Sequence, residues 1–145
     1  MPKADGCRVE CNIEIPMRDG TILRADIYRP DDEKRHPVIL CRTPYNKGAL
    51  GGMFNSILAA RRGYVVIFQD CRGLYGSDGV FVPFLNETDD GYDTVEWAAA
   101  QPWSTGKIGM FGASYMGATQ WLCAIGMPPH LVTIVPSITA SDYHN

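Results

Sequence analysis

One serine in this chain stands where it could attack an acyl group. It lies in the run Gly112-Ala113-Ser114-Tyr115-Met116-Gly117, after the β-prone residues 108–111 and before a helix-compatible segment. A serine at a strand-to-helix corner, with glycine two residues ahead of it, has the layout of a nucleophile elbow. Such a turn is tight enough to force the serine into a strained backbone conformation and to raise its hydroxyl above the sheet. The first amide of the following helix then points to where an oxyanion would form, aided by the helix dipole. As a bare string the motif is weak, and its position between a strand and a helix is what gives it weight.

The other reactive residue types form no comparable constellation. The five cysteines (7, 11, 41, 71 and 123) are odd in number and scattered, with no Cys-x-x-Cys pair and no His or Cys partner at ligand spacing near Cys7 and Cys11. Reduced, mostly buried thiols in a cytoplasmic protein are expected, with no metal and no cofactor. The acidic cluster Glu87, Asp89 and Asp90 lies beside two candidate N-caps, Asn86 and Thr88, and its charge suits a helix start better than a cation site. His36 falls in a solvated loop and reads as a surface residue. Trp97, Trp103 and Trp121 fall at helical and helix-end positions, where core packing is the simpler role.

The elements that must position Ser114 follow from hydrophobic periodicity. Residues 8–17 alternate, with Val9, Cys11, Ile13 and Ile15 on the expected buried face, and residues 22–28 return with Leu23, Ala25 and Ile27 inward. Between them Arg18-Asp19-Gly20-Thr21 is a hairpin turn signal. Residues 38–41 and 64–68 are continuous apolar runs, expected for strands buried on both faces of a parallel sheet. Helical spacing appears around Phe54, Ile57 and Leu58, ending in Arg61-Arg62-Gly63, and again from Asn86 to the stop at Pro102. The helix after Ser114 is apolar on most sides and is expected to be buried, ending at Gly126, and residues 131–135 form the last strand. The order is a leading hairpin (1–30) and a βαβαβαβ core (31–145). This α/β pattern predicts a mostly parallel sheet with helices on both faces.

With 145 residues, 46% hydrophobic and 20% charged, the composition is that of a globular domain. A net charge of −3 without a basic cluster argues against nucleic acid or an anionic membrane as partner. The first residues lack the apolar run of a signal peptide, and no apolar stretch approaches the roughly 18 residues of a membrane span. A cytoplasmic location is the expectation.

Several strings, in order along the chain, resemble the N-terminal part of the cocaine esterase/X-prolyl dipeptidyl peptidase group of α/β-hydrolases. They are Ile-Pro-Met-Arg-Asp-Gly-Thr at 15–21, Ala-Asp-Ile-Tyr-Arg-Pro at 25–30, Arg-Thr-Pro-Tyr at 42–45 and Asp-Cys-Arg-Gly at 70–73. Further along come Gly-Ser-Asp-Gly at 76–79, Asp-Gly-Tyr-Asp-Thr-Val-Glu-Trp at 90–97, Gln-Pro-Trp at 101–103 and the elbow itself at 112–117. The resemblance implies an acyl-serine hydrolase acting on a small-molecule ester or amide, with Ser114 as nucleophile. It implies a two-part oxyanion hole, from the Tyr45 hydroxyl and the Tyr115 backbone N–H. Met116 replaces the second glycine of the general elbow, which the group's own Gly-x-Ser-Tyr-x-Gly form accommodates. Asp70 and Arg72 are expected to fix their loop by charge-assisted hydrogen bonds, and Asp142 and Tyr143 to line the substrate pocket.

The triad acid and histidine are not expected within this chain. In α/β-hydrolases they follow the serine, and only 31 residues follow Ser114. His36 and His130 precede strands, at the wrong end of the sheet. His144 is on the correct rim but has no later acidic partner. By this resemblance, residues 1–145 read as the N-terminal portion of a single α/β-hydrolase catalytic domain, of low activity. The rest of that domain and the lid and jelly-roll-like domains are absent, and the expected partner is the missing C-terminal half or another copy. The alternatives are an X-prolyl dipeptidyl aminopeptidase, a β-lactam or amino-ester acylase, and, in a different class, a non-catalytic α/β binding module.

Overall fold

The computed structural model describes residues 3–4, 6–50 and 54–142. These contain a seven-stranded sheet in the order β1-β2-β3-β5-β4-β6-β7. The strands are β1 (Lys3–Ala4), β2 (Cys7–Pro16), β3 (Ile22–Pro30), β4 (His36–Thr43), β5 (Val65–Asp70), β6 (Ser104–Ala113) and β7 (Leu131–Ser137). The helices are α1 (Lys47–Leu50), α2 (Ser56–Arg61), α3 (Glu87–Ala99) and α4 (Tyr115–Ile125). β1, β2, β3 and β5 pair antiparallel, whereas β5, β4, β6 and β7 run parallel. This is the expected α/β arrangement of a hairpin leading into a parallel sheet.

Strand alternation sends neighbouring side chains to opposite faces, and the two faces carry separate cores. Val65 and Ile67 join Leu23, Ala25, Ile27, Val38, Leu40, Ile108 and Met110 under Val95 and Ala98 of α3 and Cys123 of α4. Val66 and Phe68 point the other way, with Cys41, Leu50 of α1 and the partly buried Phe54, Ala59 and Phe111. Helices therefore cover both faces. No helix of the described residues is long and apolar enough to cross a membrane.

The hairpin corrects one expectation. The pairs Glu10↔Ile27 and Ile13↔Ala25 leave one extra residue in β2, a bulge that contains Asn12 at φ 54°. An added residue reverses which side faces inward. Cys11 is consequently exposed rather than on the buried face, while Cys7, Cys41, Cys71 and Cys123 are buried. Three smaller corrections have equally local causes. His36 is in β4, half-buried, with Nε2 2.9 Å from Asp32 Oδ1 and Nδ1 3.1 Å from the Gly63 carbonyl oxygen. Asn86, rather than Thr88, is the N-cap residue of α3 but makes no side-chain capping bond; Glu87 of that first turn instead pairs with the buried Arg42, and Asp90 with the partly buried Arg72. α4 buries Gly117 to Gln120 and Cys123, yet Trp121 and Leu122 are half-buried and Ile125 is 64% exposed. α4 packs against α3, β4, β6 and β7, which covers only part of its surface.

Charged residues secure the loops. Arg72 donates to both oxygens of Asp90 (2.9 and 2.7 Å), to Asp19 Oδ2 (2.7 Å) and to Thr21 Oγ1 (2.7 Å), tying the loop after β5 to the β2–β3 turn. Hydrogen bonding from Arg72 lowers the Asp19 pKa to about 2 from an ordinary 3.8. A depressed carboxylate contributes stability that is complete above its unfolded value and lost as the pH falls through its folded one. Asp19→Asn is therefore expected to decline less in stability between about pH 4 and 2 than the parent. Urea midpoints across that window test this, and parallel curves would refute it.

An open apolar groove of about 510 Å³ crosses β4, β6 and β7, lined by Ile39, Tyr64, Phe111, Val132 and Val135 among others. Val132 and Val135 are 60% and 61% exposed. Exposed apolar surface of this extent favours association. The 145-residue chain on its own is expected to bind a hydrophobic dye and to self-associate in sedimentation velocity, and Val132→Lys with Val135→Lys is expected to reduce both.

Candidate active site

Two adjacent parallel strands deliver the candidate residues to one edge. β4 pairs with β6 up to Leu40↔Met110, so Thr43 and Ala113 end at the same level. Tyr45 follows β4 and Ser114 follows β6. β4 is also where the strand order reverses, since β5 lies on one side of it and β6 on the other. In open α/β sheets the crevice at the carboxyl end of such a switch point is the usual ligand site.

Ser114 has φ 57° and ψ −126°, a conformation that non-glycine residues adopt only under strain of about 1–3 kcal/mol. Four local features hold it there. Its N–H donates to the Ser137 carbonyl (2.9 Å), and its own carbonyl accepts from Gly117 N (2.9 Å) and Ala118 N (3.1 Å). Gly112, at φ 140°, leaves the space a Cβ would occupy 2.5 Å from the Met116 Cβ. A Cβ on Gly117 would lie 2.5 Å from Thr139 Cγ2, so this glycine admits the segment after β7. The buried Gln120 side chain clamps the corner. Its Nε2 donates to the Gly112 and Met116 carbonyls (3.1 and 3.0 Å), while Oε1 accepts from Val135 N (2.8 Å).

The Ser114 side chain is exposed, and its Oγ lies 3.4 Å from the Tyr45 hydroxyl oxygen. The backbone just beyond Tyr45 is held by a buried carboxylate. Asp70, at the end of β5, accepts from the Lys47 amide (2.8 Å) and from Gly76 N (3.1 Å), with the Lys47 ammonium 3.4 Å away. Tyr45 N donates to Thr43 Oγ1 (2.9 Å), completing the turn. Tyr115 opens α4, and first-turn amides have no acceptor within their helix, so its N–H is available beside Ser114. Its phenol turns inward. It donates to Glu87 Oε1 (3.2 Å) and accepts from Phe84 N (3.0 Å). Burial, reinforced by the Glu87 charge, raises the Tyr115 pKa well above the ordinary tyrosine range, keeping the phenol protonated.

Ser114, Tyr45 and Tyr115 line one cleft of about 240 Å³ together with Phe84, Ala118, Ile138 and Thr139. Asp142 is exposed beyond β7 and is not among these lining residues; Tyr143 and His144 lie outside the described residues. His36 pairs with Ser104, ten residues before Ser114, which at about 3.3 Å per residue puts it some 30 Å away. His130 sits just before Leu131, the partner of Ile108, and its Nδ1 is 2.9 Å from Glu96 Oε1. Neither reaches the cleft. Burial pushes the Cys41 and Cys123 thiols up to about 12, so neither is an activated nucleophile. No group of three or more His, Cys, Asp or Glu among the described residues could hold a metal ion.

Sequence reasoning missed Arg42, Gln69, Glu87 and Gln120, all fully buried behind the site. Arg42 Nη1 is 2.6 Å from Glu87 Oε2, and its Nε donates to Gln69 Oε1 (2.6 Å). The only available signal was a charged residue ending an otherwise apolar strand run at Arg42. Its partners come from elements 27 and 45 residues away.

The family model for X-Pro dipeptidyl-peptidase (S15 family) matches residues 19–145. The chain is 41% identical over 140 residues to cocaine esterase of Rhodococcus sp. (strain MB1 Bresler), covering 94% of this chain and 24% of that protein. Its fold superposes on an aminopeptidase from a marine sediment archaeon, Thaumarchaeota archaeon, with a TM-score of 0.84 and 30% identity, covering 97% of this chain and 27% of that one. An α-amino acid ester hydrolase aligns with a TM-score of 0.83 and 30% identity, over 97% and 27% of the two chains. The chain thus spans about a quarter of the length of the relatives it matches. With the hairpin, the parallel sheet and the elbow corner in agreement with that match, the chain belongs to the X-Pro dipeptidyl-peptidase (S15) family of α/β-hydrolases.

Proposed function

We propose that this chain carries the nucleophile and oxyanion hole of a serine hydrolase that cleaves an ester or amide through an acyl-enzyme on Ser114. The observation that carries the reading is the strained Ser114 backbone, which presents Oγ 3.4 Å from the Tyr45 hydroxyl at the start of α4. Ser114 Oγ attacks the carbonyl carbon and its proton passes to a general base. The carbonyl oxygen becomes an oxyanion between the Tyr45 hydroxyl and the Tyr115 N–H, at the positive end of α4. Collapse expels the alcohol or amine, which takes the proton from that base. Water, giving its proton to the freed base, then attacks the acyl-enzyme and releases the acid as the proton returns to Ser114 Oγ.

The general base comes from outside the described residues, because His36 and His130 stand at the far ends of their strands. The substrate is a small ester or amide. That reading is supported by a cleft open enough for a small acyl group and by relatives named for ester, amino-ester and peptide substrates. An X-prolyl dipeptidyl aminopeptidase is the second reading, favoured by the family model itself.

The complete gene product should hydrolyse an activated ester and take a fluorophosphonate label, both abolished in Ser114→Ala. Tyr45→Phe should lower kcat by about 10²–10³, the usual effect of removing one oxyanion donor. The chain of residues 1–145 alone should be far slower, because losing triad members typically reduces the rate by about 10⁴–10⁶. Turnover that persists in Ser114→Ala would overturn the nucleophile assignment, and absence of labelling in the complete product would favour a binding module.

A further inference from the structure

We propose that Glu87 is a positioning residue for the oxyanion hole, holding the Tyr115 phenol so that the Tyr115 backbone N–H is aimed beside Ser114. The inference rests on the reading of Ser114 as nucleophile. Glu87 is 2% exposed, and its two oxygens serve different partners. Oε2 lies 2.6 Å from Arg42 Nη1, and Oε1 accepts from the Tyr115 hydroxyl at 3.2 Å. Burying the Arg42 guanidinium demands a counter-charge, and that alone accounts for Oε2. It does not account for Oε1, which could have faced Arg42 as well in a bidentate pair. That oxygen is given instead to the side chain of the residue that begins α4.

The phenol is fixed on further sides. Its oxygen accepts from Phe84 N (3.0 Å), and its ring stacks on Phe84 with centroids 5.0 Å apart and lies 5.9 Å from Phe81. Phe84 itself has φ 67°, a left-handed conformation that a bulky side chain adopts only when its surroundings impose it. A side chain gripped at both its hydroxyl and its face leaves its own backbone little freedom to rotate. Arg42 extends the grip to the other donor, for it lies in β4 one residue before its end at Thr43 and three before Tyr45. One buried network therefore stands behind both walls of the oxyanion hole. Displacement of a reacting group by about 1 Å lowers rates by about a hundredfold, so modest loosening is measurable.

The test uses the complete gene product with an activated ester. Tyr115→Phe keeps the ring stack, the Arg42–Glu87 pair and the backbone amide, and removes only the hydroxyl. It is expected to lower kcat about 10- to 100-fold with KM nearly unchanged, and to lower the melting temperature only modestly through the two lost hydrogen bonds. Binding of a boronic acid mimic of the tetrahedral state is expected to weaken by a factor similar to that in kcat. Glu87→Gln, which keeps an acceptor oxygen toward Tyr115, is expected to retain more kcat per folded molecule than Glu87→Ala. A Tyr115→Phe enzyme within twofold of the parent in kcat overturns the positioning role. So does a variant that loses melting temperature but not kcat, because that is the mark of a purely structural contact. If the parent itself shows no Ser114-dependent turnover, the nucleophile reading falls and this proposal falls with it.

Discussion

The structure turns on one sharp corner. Between β6 and α4 the chain reverses within Ser114, at φ 57° and ψ −126°, and nothing about serine itself favours that conformation. The strain of about 1–3 kcal/mol persists because its surroundings leave no alternative. Gly112 yields its Cβ space to Met116 and Gly117 yields its own to Thr139, while Gln120 links the corner to β7. The segments on either side of the serine are thus packed tightly by small residues, and the hydroxyl is the group left outward. A relaxed serine would point its amide and hydroxyl elsewhere.

Behind that corner lies an unusual amount of buried charge for a small α/β unit. Arg42, Glu87, Asp70 and Asp90 are each at most 2% exposed, and each is held by short contacts from distant elements. Burial opposes the Arg42 charge, and the acidic neighbours, Glu87 foremost, outweigh it and raise its pKa. An all-apolar core would be at least as stable, since desolvating paired ions gains little. What ion pairs supply is direction. Asp70 fixes the backbone that carries Tyr45, and Asp90 with Arg72 fixes the loop that carries Phe81 and Phe84.

Much of this was legible in the order of residues alone. Apolar runs at 38–41 and 64–68 announced two-face-buried strands, Asp19-Gly20 announced the hairpin, and glycine spacing announced the elbow, because each is a local rule acting within a few residues. Expectations failed where one residue changed the local count or where a partner was distant. The bulge that contains Asn12 turned Cys11 outward, and no period-2 pattern can show an inserted residue. Asn86 holds the N-cap position without a capping bond, and the Glu87 and Asp90 carboxylates beside it are drawn to Arg42 and Arg72 across the sheet edge.

The order of elements, the two-faced parallel sheet and a serine at a strand-to-helix corner are written in the residue order, since periodicity and turn chemistry act locally. Tertiary structure decided what that serine faces. Tyr45 reaches it only because β4 and β6 are spatial neighbours, although Tyr45 and Ser114 are 69 residues apart along the chain. The same neighbourhood brings Glu87 to Tyr115 and places His36 and His130 at the opposite end. Such pairings depend on strand order, which no local pattern encodes.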